Sequence, residues 1–503
     1  LLLALSFPKF GHWSLAWVAL APLMVALGAD PRSLAALRFG YVTGAVSALG
    51  LLYWTSFVVV QYGGLSLAAG AAVMVLLCLA FALFPALFGW TVGRWVRAFG
   101  PAALLLAPFA WVGTEILRAH TFFRFPWCLL GYSQQPNLPY IQVARFGAVY
   151  AVSFVLAAAS AGLAYAALEP RRGRGGWGLA AVLIVVVLVG ADGAVTLSRP
   201  LPEAGRLRVG LVQARILQDE KWVPEAAEDH IAQHVRLTRR AAEDGARLVV
   251  WPESSVPFPL DESPPARRRL ESLARELGIY LLFGNDDVEA RGGRERIFVG
   301  AKMLDPRGRL VYRYHKMHLV PFGEYVPLEP VFTLGGRVAA RVVSRVGQFT
   351  PGAEAAVGTA AGARLGTFIC YEAIFPGLVR RFTEQGAELL VNVTNDGWYG
   401  RTSAPHQHLA MAVFRAVENG RTLVRAANTG ITAVVDARGR VLERTALFDR
   451  TVLVRDVPLL RGSTFYARHG DLFGWGSLLV SLGVTAAAFA RRNRGPLGDS
   501  RFR

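Results

Sequence analysis

Long apolar stretches broken by short polar ones open the chain. Runs near residues 1–8, 12–29, 39–60, 67–91, 101–117, 145–168 and 177–196 are dominated by apolar residues, and a last one covers Leu472 to Ala490. Most approach the roughly 20 residues that cross a bilayer as a helix. From Leu207 to Val457 the pattern changes, with short apolar runs alternating with amphipathic segments of helical period. This predicts strand 206–213, helix 224–244, strand 246–251, helix 264–277 and strands 279–284, 297–304 and 309–314. It continues with strand 365–369, helix 374–385, strand 388–393, helix 406–420 and strands near 423–427, 431–436, 440–445 and 452–457. Such alternation predicts an α/β domain with helices covering sheets. The expected organisation is a helical membrane domain over 1–200 with about seven spans, the first truncated. An α/β domain over 207–457, a transmembrane helix at 471–491 and a basic tail at 492–503 follow. The stretch 335–362 is rich in Gly, Ala and Val and is expected to include a mobile segment near the site.

Composition decides what the charge means. The 503 residues are 53% hydrophobic with a formal net charge of +18, a mean hydropathy of +0.35 and a pI near 10.4. In so apolar a chain, excess Lys and Arg read as a positive cytoplasmic face rather than a nucleic-acid footprint. Arg32 and Arg38, Arg94 and Arg97, Arg171, Arg172 and Arg174, and the Arg-rich C-terminus fall in alternate loops and one terminus. The positive-inside rule puts them in the cytoplasm and the α/β domain on the other side. Arg118 and Arg124, in the outer loop 118–144, weaken that bias slightly. The sequence begins at Leu1 without a start Met, so preceding residues are expected, and the first helices would serve as the insertion signal. Glu115, in span 101–117, reads as a carboxylate near a helix end that snorkels beside Arg118.

Candidate chemistry centres on Cys370. It follows the strand-like run Leu365-Gly-Thr-Phe-Ile369 and precedes a turn into a helix, where a thiol can be exposed and ionised. Cys78 and Cys128 lie in or beside apolar runs, and no CxxC pair exists to suggest zinc or dithiol exchange. Acyl transfer through a thiol needs a base, an oxyanion donor and a pocket that excludes water. Glu253, in Trp251-Pro-Glu-Ser-Ser255, offers the base; its apolar neighbours would favour proton uptake. Lys316, in Tyr314-His-Lys-Met-His318, offers an ammonium that would favour thiolate and hold an oxyanion. The N–H of Tyr371 is a second donor. His406 and His408 lack a third ligand and read as surface residues at a helix start. No phosphate-binding or dinucleotide fingerprint stands in a convincing context.

The order Glu253, Lys316, Cys370, in Trp-Pro-Glu, Tyr-His-Lys and Ile-Cys-Tyr-Glu, resembles the catalytic triad of the nitrilase, or carbon–nitrogen hydrolase, superfamily. The resemblance implies an α-β-β-α sandwich. Such a domain set between transmembrane helices looks like the apolipoprotein N-acyltransferase family, across nearly the whole chain. Further matching segments are Pro321-Phe-Gly-Glu324-Tyr-Val-Pro327, Asn392 to Gly400, Phe123 to Trp127, Leu130 to Gln134 and Gln218 to Trp222. The resemblance implies that Cys370 takes an acyl chain from a membrane phospholipid as a thioester. It implies that the chain then passes to the α-amine of an N-terminal diacylglyceryl-cysteine on an apolipoprotein. It also implies Glu253 as base, Lys316 as oxyanion donor, and support from Glu324, Tyr371 and Glu372. Asn285, Trp222, Trp398 and Trp127 become candidates for substrate contact. No metal, nucleotide or other cofactor is implied. The expected location is the bacterial inner membrane, with the catalytic domain facing the periplasm or exterior. Two other readings compete: a membrane-tethered amidase or nitrilase that hydrolyses small amides, and a non-catalytic scaffold, against which the intact triad argues.

Overall fold

Helices with too few polar positions to sit in water build the first of two units, Leu1–Ser56, Ser66–Arg199 and His469–Arg503. The computed structural model describes residues 1–121, 124–169, 173–291, 294–326 and 348–493. Among these, six helices are long and apolar enough to cross a membrane: Ser33–Leu52, Leu67–Phe99, Pro101–His120, Ala144–Leu168, Arg174–Ser198 and Leu472–Arg491. The two earliest expected spans are shorter than anticipated. They consist of Leu2–Leu5 and of a 3₁₀ turn, Trp13–Trp17, followed by the helix Ala21–Ala29. Glycine lets neighbouring helices meet backbone to backbone. A methyl group on Gly40 would lie 2.1 Å from the Pro85 carbonyl oxygen, and one on Gly89 would lie 2.4 Å from that of Ala36.

Glu115 does not snorkel. It is buried, accepting from Trp111 Nε1 at 3.0 Å and from the Leu130 N–H at 2.8 Å. These donors offset the cost of burying a carboxylate and pin the following loop to its own helix. Trp127 packs inside the same unit, with its ring 4.9 Å from that of Trp54 and stacked on Phe125.

The second unit is Phe57–Leu65 with Pro200–Arg468. The apolar run expected to span from 39 to 60 thus divides: the helix Ser33–Leu52 stops, a new helix Trp54–Gln61 starts, and Phe57 onward joins this unit. Among the described residues fourteen strands occur in chain order. They are β1 (Glu203–Gln213), β2 (Leu248–Val250), β3 (Tyr280–Gly284), β4 (Asp287–Arg291), β5 (Arg294–Phe298), β6 (Gly300–Leu304) and β7 (Leu310–His315). Then come β8 (Val357–Ala360), β9 (Ala363–Ile369), β10 (Leu389–Thr394), β11 (Thr422–Ala427), β12 (Ala433–Val435), β13 (Val441–Arg444) and β14 (Thr451–Leu460). Two six-stranded sheets result, β14-β1-β2-β3-β6-β7 and β13-β12-β11-β10-β9-β8, with β4 and β5 as a separate hairpin. Helices Ala227–Glu243 and Pro264–Leu277 cover the first sheet, and Pro376–Glu384 and Ala404–Asn419 the second, giving the expected α-β-β-α layering. Under the first pair lie Ile231, Trp251, Leu270 and Phe283, and the indole N–H of Trp251 is satisfied by Thr238 Oγ1 at 2.7 Å.

Two local expectations differ. The run 297–304 is two strands, because β5 ends at Phe298 in the hairpin with β4, whereas β6 starts at Gly300 and pairs with β3 and β7. In the Gly/Ala-rich stretch 335–362, residues up to 347 lie outside the described residues, while Val357–Ala360 pairs with β9 as an edge strand. The basic loop at 171–172 and the tail from 494 also lie outside them.

Each sheet has a parallel core, β1-β2-β3 in one and β9-β10-β11 in the other. Parallel strands end together, so whatever follows their carboxyl ends is gathered at one rim, where α/β proteins place their sites. The segment Phe57–Leu65 packs at the turn after β10. The Tyr62 hydroxyl donates to the Gly397 carbonyl at 3.2 Å, and its ring meets Trp398 edge-on at 5.0 Å.

Candidate active site

Glu253 follows β2, Lys316 follows β7 and Cys370 follows β9. The structure brings the three together. Lys316 Nζ lies 3.1 Å from Glu253 Oε1, and both groups act electrostatically on the Cys370 thiol. Glu324 joins them, its Oε1 2.5 Å from Lys316 Nζ and its Oε2 accepting from the Val320 N–H at 2.8 Å. The second oxygen of Glu253 accepts from the Asn395 N–H at 2.9 Å, which ties the rim of one sheet to the end of β10 in the other. Close packing fixes the base from behind. A methyl group on Gly284 would lie 2.6 Å from the Glu253 Cα and 2.4 Å from the Ser254 nitrogen, so β3 can approach β2 only as glycine there.

Charge at this site is set by burial and by the pairings. Burial alone would discharge Lys316, but Glu253 and Glu324 more than offset it and hold the ammonium protonated. Burial raises Glu324, against Lys316. The Cys370 thiol is pushed well up by burial and further by Glu253, with Lys316 and a hydrogen bond from the Thr394 side chain opposing. Lys316 favours the thiolate as expected, but burial and Glu253 outweigh it. The resting sulfur is a buried neutral thiol, and a base must take its proton as it reacts.

Two turns at the site adopt left-handed backbone, Cys370 at φ 47° and Ser254 at φ 46°. Such conformations cost a non-glycine residue about 1–2 kcal/mol and need support. Each has a buried donor on the adjoining carbonyl. His408 Nε2 donates to the Cys370 carbonyl at 3.0 Å, and Lys221 Nζ donates to the Glu253 carbonyl at 2.9 Å. His408 is therefore not a surface residue. It is fully buried, with Nδ1 2.9 Å from Asp396 Oδ1, and Arg425 Nη2 reaches Asp396 Oδ2 at 2.7 Å. Asp396 is held below the usual carboxylate range: burial raises it, and Arg425 and His408 reverse that. Burial lowers Lys221 to about 8, against Glu253, Asp286 and Cys370.

The remaining sequence candidates divide. Glu372 is a scaffold residue: one oxygen accepts from the Met317 and His318 N–H groups at 2.7 and 3.2 Å, the other from Ile369 at 2.7 Å, and Tyr314 donates to both. It staples the Lys316 loop to the Cys370 turn. Glu372→Ala would orphan these donors, so a loss of about 3–5 kcal/mol is expected. In thermal unfolding this is a drop of roughly 10 °C; a midpoint shifted by less than about 2 °C would refute the staple.

Tyr371 is buried edge-on against Phe375. Asn285 is fully buried. It donates to the Val256 and Phe258 carbonyls and accepts from Lys302 Nζ at 2.9 Å, so its amide serves the scaffold. Trp222 and Trp398 are part-exposed in the catalytic unit, whereas Trp127 is interior to the membrane unit. Sequence reasoning did not single out Asp286 and Arg425 as site residues, and Lys221, Asn395 and Asp396 entered only within matching segments. Four of them share a signal of position, since Lys221 lies in the loop after β1, Asp286 just after β3, and Asn395 and Asp396 just after β10, whereas Arg425 lies within β11.

Comparison with known proteins identifies the family. Residues 208–464 match the carbon–nitrogen hydrolase family, and residues 1–162 match the apolipoprotein N-acyltransferase N-terminal domain. A protein of Geobacter metallireducens named apolipoprotein N-acyltransferase is 41% identical over 98% of this chain and 94% of its own. One of the same name from Methylococcus capsulatus is 37% identical over 98% and 95%. Among solved structures, a nitrilase-superfamily amidase from Nesterenkonia AN1 aligns with 24% identity and a TM-score of 0.39, over 54% of this chain and 95% of that one, too low a similarity to build on.

Proposed function

The chain belongs to the apolipoprotein N-acyltransferases, and from that premise we propose that Cys370 carries an acyl group as a thioester between a membrane phospholipid and the α-amine of an apolipoprotein's N-terminal diacylglyceryl-cysteine. In the first half-reaction Glu253 takes the thiol proton as sulfur attacks the ester carbonyl carbon. The C–O bond then breaks, and the lysophospholipid oxygen receives that proton from Glu253. In the second half the amine attacks the thioester and the sulfur leaves. Lys316 supplies the oxyanion donor. An ammonium has three N–H bonds, and among the described residues two point to Glu253 and Glu324, which leaves one for a substrate oxygen. The Tyr371 N–H, next after the nucleophile, is the second donor. Glu324 orients Lys316, while Trp222 and Trp398 offer apolar contact to lipid.

The observation that carries this reading is a buried thiol at the end of β9 together with a carboxylate that is itself clamped by a lysine, Glu253 against Lys316 at 3.1 Å. A nucleophile of that kind reacts only when substrate and base are both in place, which suits a carrier that must keep its thioester from water. The family's N-terminal domain, with its apolar helices, favours lipid substrates over the small amides of a tethered amidase. Exposing an acyl chain to water costs about 0.8 kcal/mol per CH₂, and a site at the bilayer avoids most of that cost. The direct test is mass spectrometry of the Cys370 peptide after incubation with phospholipid. An added acyl mass supports the reading; an unmodified peptide with acyl transfer still proceeding overturns it.

The arginine pattern supports an orientation with the catalytic unit outside the cytoplasm, in a multi-pass protein of the inner membrane. Ser403, next to the turn after β10, is buried, but Arg401 is exposed. Cysteine at position 401, in a Cys370→Ala background, should react with a membrane-impermeant thiol reagent in spheroplasts. Reaction only after lysis would reverse the orientation.

A further inference from the structure

Amide formation from an ester and an ammonium releases a proton. An α-amine has an ordinary pKa of about 8, so at neutral pH the acceptor arrives mostly as ammonium, without a lone pair to attack with. Glu253 does not dispose of that proton. What it takes from Cys370 in the first half it gives to the lysophospholipid, and in the second half it must return a proton to sulfur. A second base in the site would let the bound ammonium react, and not only the small free-amine fraction. Two other carboxylates stand in the field of Glu253 and Lys316. Glu324 has both oxygens engaged, by Lys316 and by the Val320 N–H.

Asp286 differs. It follows β3, the parallel neighbour of the strand that leads into Glu253. The residues on either side of it are locked. Asn285 is held by the Val256 and Phe258 carbonyls and Lys302, and Asp287 by Lys302 at 3.1 Å and Arg313 at 3.0 Å. Yet Asp286 Oδ1 is buried with no hydrogen-bond partner among the described residues. A buried acceptor left empty costs about 1–3 kcal/mol, and at a functional site it marks a place for a donor that comes and goes.

We propose that Asp286 receives the acceptor's α-ammonium on Oδ1 and takes its surplus proton, which makes it a catalytic residue of the second half-reaction; this rests on the acyl-transfer reading above. One ammonium N–H bond breaks to Asp286. The freed lone pair forms the C–N bond at the thioester carbonyl carbon. Glu253 takes a second proton from nitrogen and passes it to sulfur as the C–S bond breaks, and Asp286 then releases its proton to water. The local charges agree with this role. Burial, and after it Glu253, pushes Asp286 up to about 7, with Glu324 adding to the rise and Lys221 and Lys316 opposing it. Acid and carboxylate forms therefore interchange near neutrality, which is what a group that accepts and then releases one proton requires.

The test separates the half-reactions in full-length enzyme held in phospholipid nanodiscs. Lysophospholipid release reads the first, and N-acylation of a synthetic diacylglyceryl-cysteinyl peptide reads the second. Asp286→Asn should still release a burst of lysophospholipid, while peptide acylation at pH 7 falls about ten- to hundredfold. In wild type, acylation should rise with pH through about 7, as Asp286 ionises. In the variant that rise should move to about 8, where the free amine loses its own proton. Asp286→Glu should recover part of the loss. Acylation within about threefold of wild type in Asp286→Asn, or an equal fall in both half-reactions, would overturn the proposal. Absence of any lysophospholipid burst in wild type would instead count against the thioester reading on which it rests.

Discussion

Cys370→Ser is expected to lower turnover by at least about 10³-fold and to leave no thioester on the enzyme. The effect is chemical rather than steric. The site holds a neutral thiol, and Glu253 must remove its proton during attack. A serine hydroxyl is a much weaker acid and a harder nucleophile, so the same base gains far less from it. Its ester would also be a poorer acyl donor to an amine than a thioester is. The fold should be untouched, because the turn is held through the carbonyl of residue 370 by His408 and not through the sulfur. Unfolding midpoints near that of wild type, with lysophospholipid release abolished, are the expected pair of results. A serine variant that turns over within tenfold of wild type would remove Cys370 from the mechanism.

The second large effect is expected for Glu253→Gln, a loss of about 10²–10⁴ in both half-reactions. The amide keeps the size of the side chain and still accepts from the Asn395 N–H, but it cannot take a proton from sulfur or nitrogen. Lys316 keeps its charge through Glu324. The contrast with Asp286→Asn is the informative part: loss of the base stops lysophospholipid release, whereas loss of the ammonium acceptor spares it. Rapid-quench measurement of the two steps in both variants distinguishes them, and a Glu253→Gln enzyme that forms thioester at the wild-type rate would assign the base elsewhere.

How much of this was legible in the sequence follows from what each signal depends on. The membrane helices and the α/β alternation are periodic, and period survives any tertiary arrangement. The triad was legible because Glu253, Lys316 and Cys370 each close an apolar run, inside local sequences shared by a superfamily. What failed depended on burial. The helix Ala404–Asn419 carries His408, Arg415, Glu418 and Asn419, which look solvated by composition; all four are fully buried. Burial of these groups is decided by their pairings, His408 with Asp396 and Arg425 from the turn and strand that flank the helix, and Arg415 with Glu418 one turn along it. The resemblance implied support from Glu372 and substrate contact by Asn285, but Glu372 holds backbone N–H groups and Asn285 holds two carbonyls and Lys302. The edge strand Val357–Ala360 was missed because Val-Gly-Thr-Ala has little strand propensity of its own and is recruited by β9. Asp286 gave no signal at all beyond its place after a strand.

The contact of Tyr62 with Gly397 and Trp398 has a practical consequence for anyone who would dissect this enzyme. Residues Phe57–Leu65 group with the α/β fold although more than a hundred positions of apolar chain separate them from it. An expression fragment beginning at Pro200 would therefore be an incomplete protein, missing a plug beside its own catalytic rim. An indole left bare at that spot invites self-association. Supplying the excised segment as a peptide, or grafting it through a short linker, is the rational way to make the fragment behave.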